Sequence, residues 1–214
     1  MDLDMSAVKR ILKALDWQVI KRLLTSIDSF VLYTEFMAQF LRIPDHKWML
    51  MEGSLSVEEI PSKLPIHNRT KTTVMYSGAL DKKTGILEFL QAIGFIRDEK
   101  YEFWFTGSGN ALQEIILASK RDARIKYLGF LPTRKDLLKK QQQATMLINM
   151  RLPSAQRSEY SFPSKLLEFM ISGRPVLSPK LGGVPDEYYK YLVEIPSTTP
   201  VSYTHLTLPT ICSV

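Results

Sequence analysis

The sequence predicts an α/β fold built on a parallel, doubly wound sheet, preceded by the end of a second domain of the same kind. Two observations carry this. After Thr72, short apolar strand-like runs alternate with segments of helical periodicity, which is how βαβ units read. Several of those runs end at a glycine, where a strand turns into a helix. Composition agrees with a globular chain: 214 residues, 45% hydrophobic and 23% charged. At about 150 residues per domain, there is room for one domain and part of another.

The first segment predicts a helix, because Val8, Ile11, Leu12, Leu15, Val19 and Leu23 recur at helical spacing among lysines and arginines. Such a basic amphipathic helix packs its stripe on a sheet or lies on a membrane surface. Ser29–Tyr33 reads as a strand, Glu35–Leu41 as a helix stopped by Pro44, and Trp48–Met51 as a second strand. Residues 1–53 thus look like the tail of a domain. Periodicity fades over 54–71, where Pro61, Pro65, Ser54, Ser56 and Asn68 suggest a linker.

The strands expected from there are Thr73–Tyr76, Tyr101–Thr106, Ile125–Leu128, Thr145–Asn149, Pro175–Leu177 and Val193–Ile195. The helices expected between them are Thr84–Ile93, Asn110–Lys120, Lys135–Gln142, Ser164–Ile171 and Asp186–Tyr191. At the other end, Val201 to Thr210 resembles the in-frame translation of a sequencing adapter. Residues 201–214 are therefore expected to be a non-native tail, with 72–200 a truncated domain. The opening Asp2 and Asp4 do not suit a signal peptide.

Charge and cysteine content narrow the chemistry. Lys+Arg 28 against Asp+Glu 22 gives +6, which suits anionic ligands or an anionic membrane surface but is too diffuse for nucleic acid. One cysteine, Cys212, excludes a disulfide framework and cysteine-ligated zinc. Three histidines without paired spacing argue against a histidine metal site.

In doubly wound sheets ligands bind beyond the carboxyl ends of the strands, so the loops there are the candidates. Gly78, with Lys82 and Lys83 following, either lets backbone N–H groups approach an oxyanion or forms a plain βα turn. Gly107-Ser108-Gly109 lacks a third glycine, so it is weak as a dinucleotide signature and serves equally as a tight turn. Phe130 either flanks a planar base or packs. Arg151, just past a strand, either reaches a ligand or is solvated.

The fullest pattern is Phe162-Pro163-Ser164-Lys165-Leu166-Leu167-Glu168. Pro163 suits the first turn of a helix, leaving the N–H groups of Ser164 and Lys165 for a phosphate. Lys165 and Glu168 share a face, a cation for a diphosphate and a carboxylate for a vicinal diol. The plainer alternative is a surface helix carrying an i,i+3 ion pair.

Read through Val176, this segment resembles the donor-binding signature of retaining glycosyltransferases with the GT-B fold. The other landmarks stand in the family's order: Tyr76-Ser77-Gly78, Phe105-Thr106-Gly107-Ser108-Gly109, Arg124 to Gly129, Leu147 to Arg151, and Leu181 to Glu187. The Phe-Pro-Ser-Lys variety is similar to transferases of capsular and exopolysaccharide assembly. The resemblance implies two Rossmann-like domains, with 72–200 the truncated donor side and 1–53 only the C-terminal end of the acceptor side, so this stretch by itself is expected to give no turnover. It implies that Glu168 holds the nucleotide ribose, and that Lys165, the helix-start amides and the Gly78 loop hold the diphosphate. The implied donor-binding set is Gly78, Lys82, Lys83, Gly107, Phe130, Arg151, Ser164, Lys165 and Glu168, with catalytic residues unassigned. Where many members carry Arg and Lys, this chain has Ala79 and Thr84, and Tyr160 replaces a Glu.

The implied reaction moves a sugar from a nucleotide-diphosphate sugar to an acceptor hydroxyl with retention, without metal or cofactor. The partners implied are that donor and a glycan or lipid-linked acceptor, in the cytoplasm or peripheral on the inner face of the cell membrane. A sugar-nucleotide epimerase and a non-catalytic nucleotide-binding module are the alternatives. A nicotinamide-dependent dehydrogenase is disfavoured by the missing third glycine.

Overall fold

A computed structural model describes residues 7–55, 70–151 and 158–195. Most of the expected linker and all of the expected non-native tail lie outside them. The chain divides into two compact units, residues 1–52 and 53–214.

The first unit holds helix α1 (Ala7–Thr25), strand β1 (Phe30–Leu32), helix α2 (Glu35–Leu41) and strand β2 (Trp48–Leu50). β1 and β2 pair in parallel, Phe30 opposite Trp48. Leu32, Ala38 and Ile43 form a small core. The apolar stripe of α1 does not pack on this sheet as expected: Ile11, Leu12, Leu15, Val19 and Leu23 are each more than half exposed. Two strands of three residues offer too little surface to cover a 19-residue helix. Trp17 does meet Phe40 of α2, ring centroids 5.3 Å apart.

The second unit is the doubly wound sheet. Its strands are β3 (Thr72–Ser77), β4 (Tyr101–Thr106), β5 (Ile125–Tyr127), β6 (Met146–Ile148), β7 (Val176–Pro179) and β8 (Val193–Ile195). Helices α3 (Ile86–Phe95), α4 (Leu112–Arg121), α5 (Arg134–Gln143) and α6 (Ser164–Ile171) lie between them. All neighbours are parallel, in the order β5-β4-β3-β6-β7-β8. Strand order reverses between β3 and β6, the place where such sheets open a crevice for ligands.

The period-2 alternation of strand side chains sorts the core. Val74, Tyr76, Phe103 and Phe105 pack with Ile86, Phe89 and Ile93 of α3 and Ile115 of α4. Met75, Trp104, Leu147 and Val176 face the other way, with Leu166 and Phe169 of α6. By the same alternation Ser77 follows Met75 onto the α6 side, a polar position at the carboxyl end of the central strand.

Three helical segments differ in kind or in their capping from the sequence reading, and α4 begins at Leu112 rather than Asn110. Lys82–Thr84 is a separate 3-10 turn, because Gly85 stands at φ 86 and interrupts the helix expected from Thr84. Pro163 is the N-cap of α6 in an extended conformation, φ −75 and ψ 96, rather than its first-turn residue. Asp186–Lys190 is a 3-10 helix, too short after Pro185 to settle into α geometry. Among the described residues no helix is long and apolar enough to cross a membrane.

Candidate functional site

The register of β3 on β4 sets the site. Thr72 pairs with Tyr101 and Ser77 with Thr106, so Gly78 and Gly107 leave the sheet side by side. Their φ values, 136 and 132, are ones L side chains rarely adopt. A Cβ on Gly107 would collide with the Gly78 carbonyl, and a Cβ on Gly78 would fall on the Lys165 ammonium. Gly107 needs glycine because backbone approaches it closely, whereas at Gly78 the end of the Lys165 side chain can give way and the positive φ is what favours glycine.

Backbone bonds carry the ladder past the strand ends. Gly78 N–H donates to Thr106 O at 3.0 Å, Gly107 N–H to Gly129 O at 3.2 Å, and Leu80 N–H to Ser108 O at 2.8 Å. Side chains add to it: Thr106 Oγ1 donates to Gly129 O at 2.6 Å and Tyr127 Oη to Gly107 O at 2.8 Å. The turns after β3, β4 and β5 are thereby one connected wall.

Two adjoining cavities of about 360 Å³ each open on this wall and share Lys165. The first is lined by Gly78, Thr106, Gly107, Phe130 and Leu137, with Lys165 at its edge. The second is lined by Lys83, Asn149, Arg151, Pro163, Ser164 and Lys165, with Tyr76 and Thr84 behind. The N-cap residue Pro163 supplies no side-chain hydrogen bond, so among the described residues the first-turn N–H groups of α6 keep their capacity for an anion. Burial pushes the Lys165 ammonium below the usual lysine range, against the opposing field of Glu168. Its cation stands 5.7 Å from the Tyr76 ring centroid. Burial also raises the Tyr76 phenol, whose hydroxyl donates to Ala79 O at 2.8 Å.

The structure thus brings Gly78, Gly107, Phe130 and Lys165 to one cavity and Lys83, Arg151, Ser164 and Lys165 to the other. Arg151 is fixed by an Nη2 bond of 2.6 Å to Ser161 Oγ, in the segment leading to α6. Lys82 is not brought to the cleft. Its N–H donates to Asn110 Oδ1 at 2.9 Å and its ammonium pairs with Glu114 of α4. Glu168 lines neither cavity wall directly. It sits one turn beyond Lys165, and its Oε1 accepts from Gln141 Nε2 at 2.8 Å.

The donor-binding set expected from sequence leaves out Tyr76, Thr84 and Asn149, which line the second cavity, and Gln141, which meets Glu168. Tyr76 and Asn149 were findable, since both stand where a strand ends. Nothing in a run of three glutamines marks Gln141. Among the described residues no group of three His, Cys, Asp or Glu side chains could hold a metal ion. What the cleft offers instead is a helix start, several cations and glycine backbone. That combination suits a diphosphate.

The sequence profile described as "Glycosyl transferases group 1" matches residues 71–200, well over half of the chain. The chain belongs to this family of glycosyltransferases. Solved structures share its fold at low identity. A glycosyltransferase from Rickettsia africae superposes with a TM-score of 0.65 at 11% identity, covering 87% of this chain and 55% of that one. Alr3699/HepE of Anabaena, in complex with UDP and glucose, gives 0.60 at 13% identity, over 83% and 51%. WaaB, a lipopolysaccharide outer core galactosyltransferase in its apo form, gives 0.58 at 16% identity, over 75% and 45%. The chain spans about half the length of these proteins. No curated protein sequence matches it. In this group 1 glycosyltransferase chain the cleft lies at the β3/β6 reversal, with every lining residue in the family-matched region.

Proposed function

We propose that the protein transfers a sugar from a nucleoside diphosphate sugar to an acceptor hydroxyl, with retention at the anomeric carbon. The supporting observation is the convergence of the Gly78 turn, the uncapped start of α6 and Lys165 on one cleft. In this reading the diphosphate lies between Gly78 and the N–H groups of Ser164 and Lys165. Lys83 and Arg151 contribute further positive charge. Phe130 flanks the base, and Glu168 accepts hydrogen bonds from the ribose diol.

The chemistry follows from charge. As the bond between the anomeric carbon and the diphosphate oxygen breaks, that oxygen gains negative charge. The acceptor oxygen bonds to the same carbon on the face the diphosphate leaves, which keeps the configuration, and its proton passes to the departing diphosphate oxygen. Donors already aimed at the leaving group stabilise the transition state without reorganising, and one such donor is worth about 3 kcal/mol. The donor is consumed as a substrate, and no resident cofactor enters this scheme. The acceptor is a glycan or lipid-linked glycan of surface polysaccharide assembly, reached from the cytoplasmic side by peripheral association with the membrane.

Calorimetry of the chain against UDP, GDP, ADP and CDP tests the nucleotide half of this reading. Micromolar binding of one diphosphate, with much weaker binding of its monophosphate, is expected. Equal affinity for mono- and diphosphate, or none for any of them, would refute it. Product analysis with a labelled donor then tests transfer.

A further inference from the structure

Gln141 is fully buried, although it opens a polar run with Gln142 and Gln143 at the end of α5. Its Nε2 donates to Ser77 Oγ at 3.0 Å and to Glu168 Oε1 at 2.8 Å. Its own carbonyl oxygen is buried with no partner among the described residues. An ionised carboxylate only accepts, so Glu168 dictates which way this amide points; the opposite orientation would set two acceptors face to face. A buried amide with an unsatisfied carbonyl is costly. Packing alone would be served better by an apolar side chain.

The bond joins three elements at the site. Ser77 ends β3 immediately before Gly78. Leu137, one turn earlier on α5, lines the first cavity, as does Lys165, one turn earlier on α6. The Gln141–Glu168 contact therefore lies one helical turn along from a cavity-lining residue on each of the two helices. Glu168 also sits three residues from Lys165, within reach of its field. Released from Gln141, a flexible carboxylate can leave the position in which it meets a pentose, while the Lys165 ammonium keeps its place beside Tyr76.

We propose that Gln141 is a positioning residue, holding the Glu168 carboxylate where it accepts hydrogen bonds from the pentose diol of a ribonucleoside diphosphate. The proposal rests on the donor-binding reading above. It assigns Gln141 to recognition of the pentose and not of the diphosphate.

The test compares UDP with 2′,3′-dideoxy-UDP by calorimetry on the 214-residue chain, or GDP with its dideoxy counterpart if guanosine binds better. Gln141→Met keeps the volume and removes the donor. The expected result is a loss of about tenfold in affinity for the ribonucleotide, the worth of one hydrogen bond to a charged group. Dideoxynucleotide affinity stays the same, so the preference for ribose shrinks. In a Glu168→Ala background, Gln141→Met adds no further loss. Ser77→Ala, which removes the amide's other acceptor, shows a smaller loss of the same preference and serves if Gln141→Met does not fold. Equal losses for both nucleotides, or an unchanged ribose preference in the variants, overturn the proposal alone. An unsubstituted chain that binds no nucleotide overturns the donor reading and this proposal with it.

Discussion

Replacing Lys165 with methionine separates the charge of this residue from its stem. The ammonium and the end of the stem fill the space left by the missing Cβ of Gly78, and the ammonium stands beside the Tyr76 ring. Methionine is unbranched and adaptable and reaches as far as Cε, so it keeps the packing of the stem and loses only the ammonium. The ammonium is held below its ordinary range by burial, so its removal relieves a desolvation cost. Thermal stability should therefore not fall. Binding should suffer, since a charge-assisted bond to a phosphate oxygen in this setting is worth about 2–3 kcal/mol. That corresponds to about a 30- to 150-fold rise in Kd. Calorimetry with UDP and GDP reads the second quantity and a thermal melt reads the first. A Tm lowered by several degrees with nucleotide affinity intact would make Lys165 a structural residue and refute the argument.

Four further outcomes are expected. Nucleotide affinity should decline as pH rises through the Lys165 titration in the free protein, which burial places below the usual lysine range. A diphosphate favours the protonated form and raises its pKa, so binding takes up a proton in that alkaline window. Calorimetry in buffers of different ionisation enthalpy detects the uptake, which should vanish in Lys165→Met. Gly107→Ala should cost about 2–4 kcal/mol in urea unfolding, from left-handed strain and the clash with the Gly78 carbonyl; a neutral result would mean the turn rebuilds freely. Lys82→Ala should lose only an exposed ion pair, under about 1 kcal/mol of stability, and leave nucleotide affinity unchanged. Lys83→Ala should weaken nucleotide binding about three- to tenfold, and the reverse pattern would exchange the roles of the two lysines.

The strand–helix alternation was legible because the central strands are buried on both faces. Thr73–Ser77 and Glu102–Thr106 read as continuous β-favouring runs, and buried runs have only that signature. Gly78 and Gly107 were legible as turns because each follows such a run, and the start of α6 because Pro163 precedes a helical pattern. Other features depend on register and orientation, which local pattern does not encode. Lys82 and Lys83 are neighbours on a 3-10 turn, about 120° apart, so one meets α4 and the other lines the cleft. Gln141 is buried against its hydropathy because β3, α5 and α6 bring Ser77 and Glu168 to it from 64 and 27 residues away. For α1, the amphipathic pattern identified the helix but not what its apolar face meets.

The shared hydrogen bonds among the turns after β3, β4 and β5 have a consequence for how such a protein can change. Lengthening any one of them by a residue would break bonds belonging to its neighbours as well, so the three behave as a single casting. Retuning the ligand is then a matter of exchanging side chains on a fixed mould, and insertions must be taken up elsewhere.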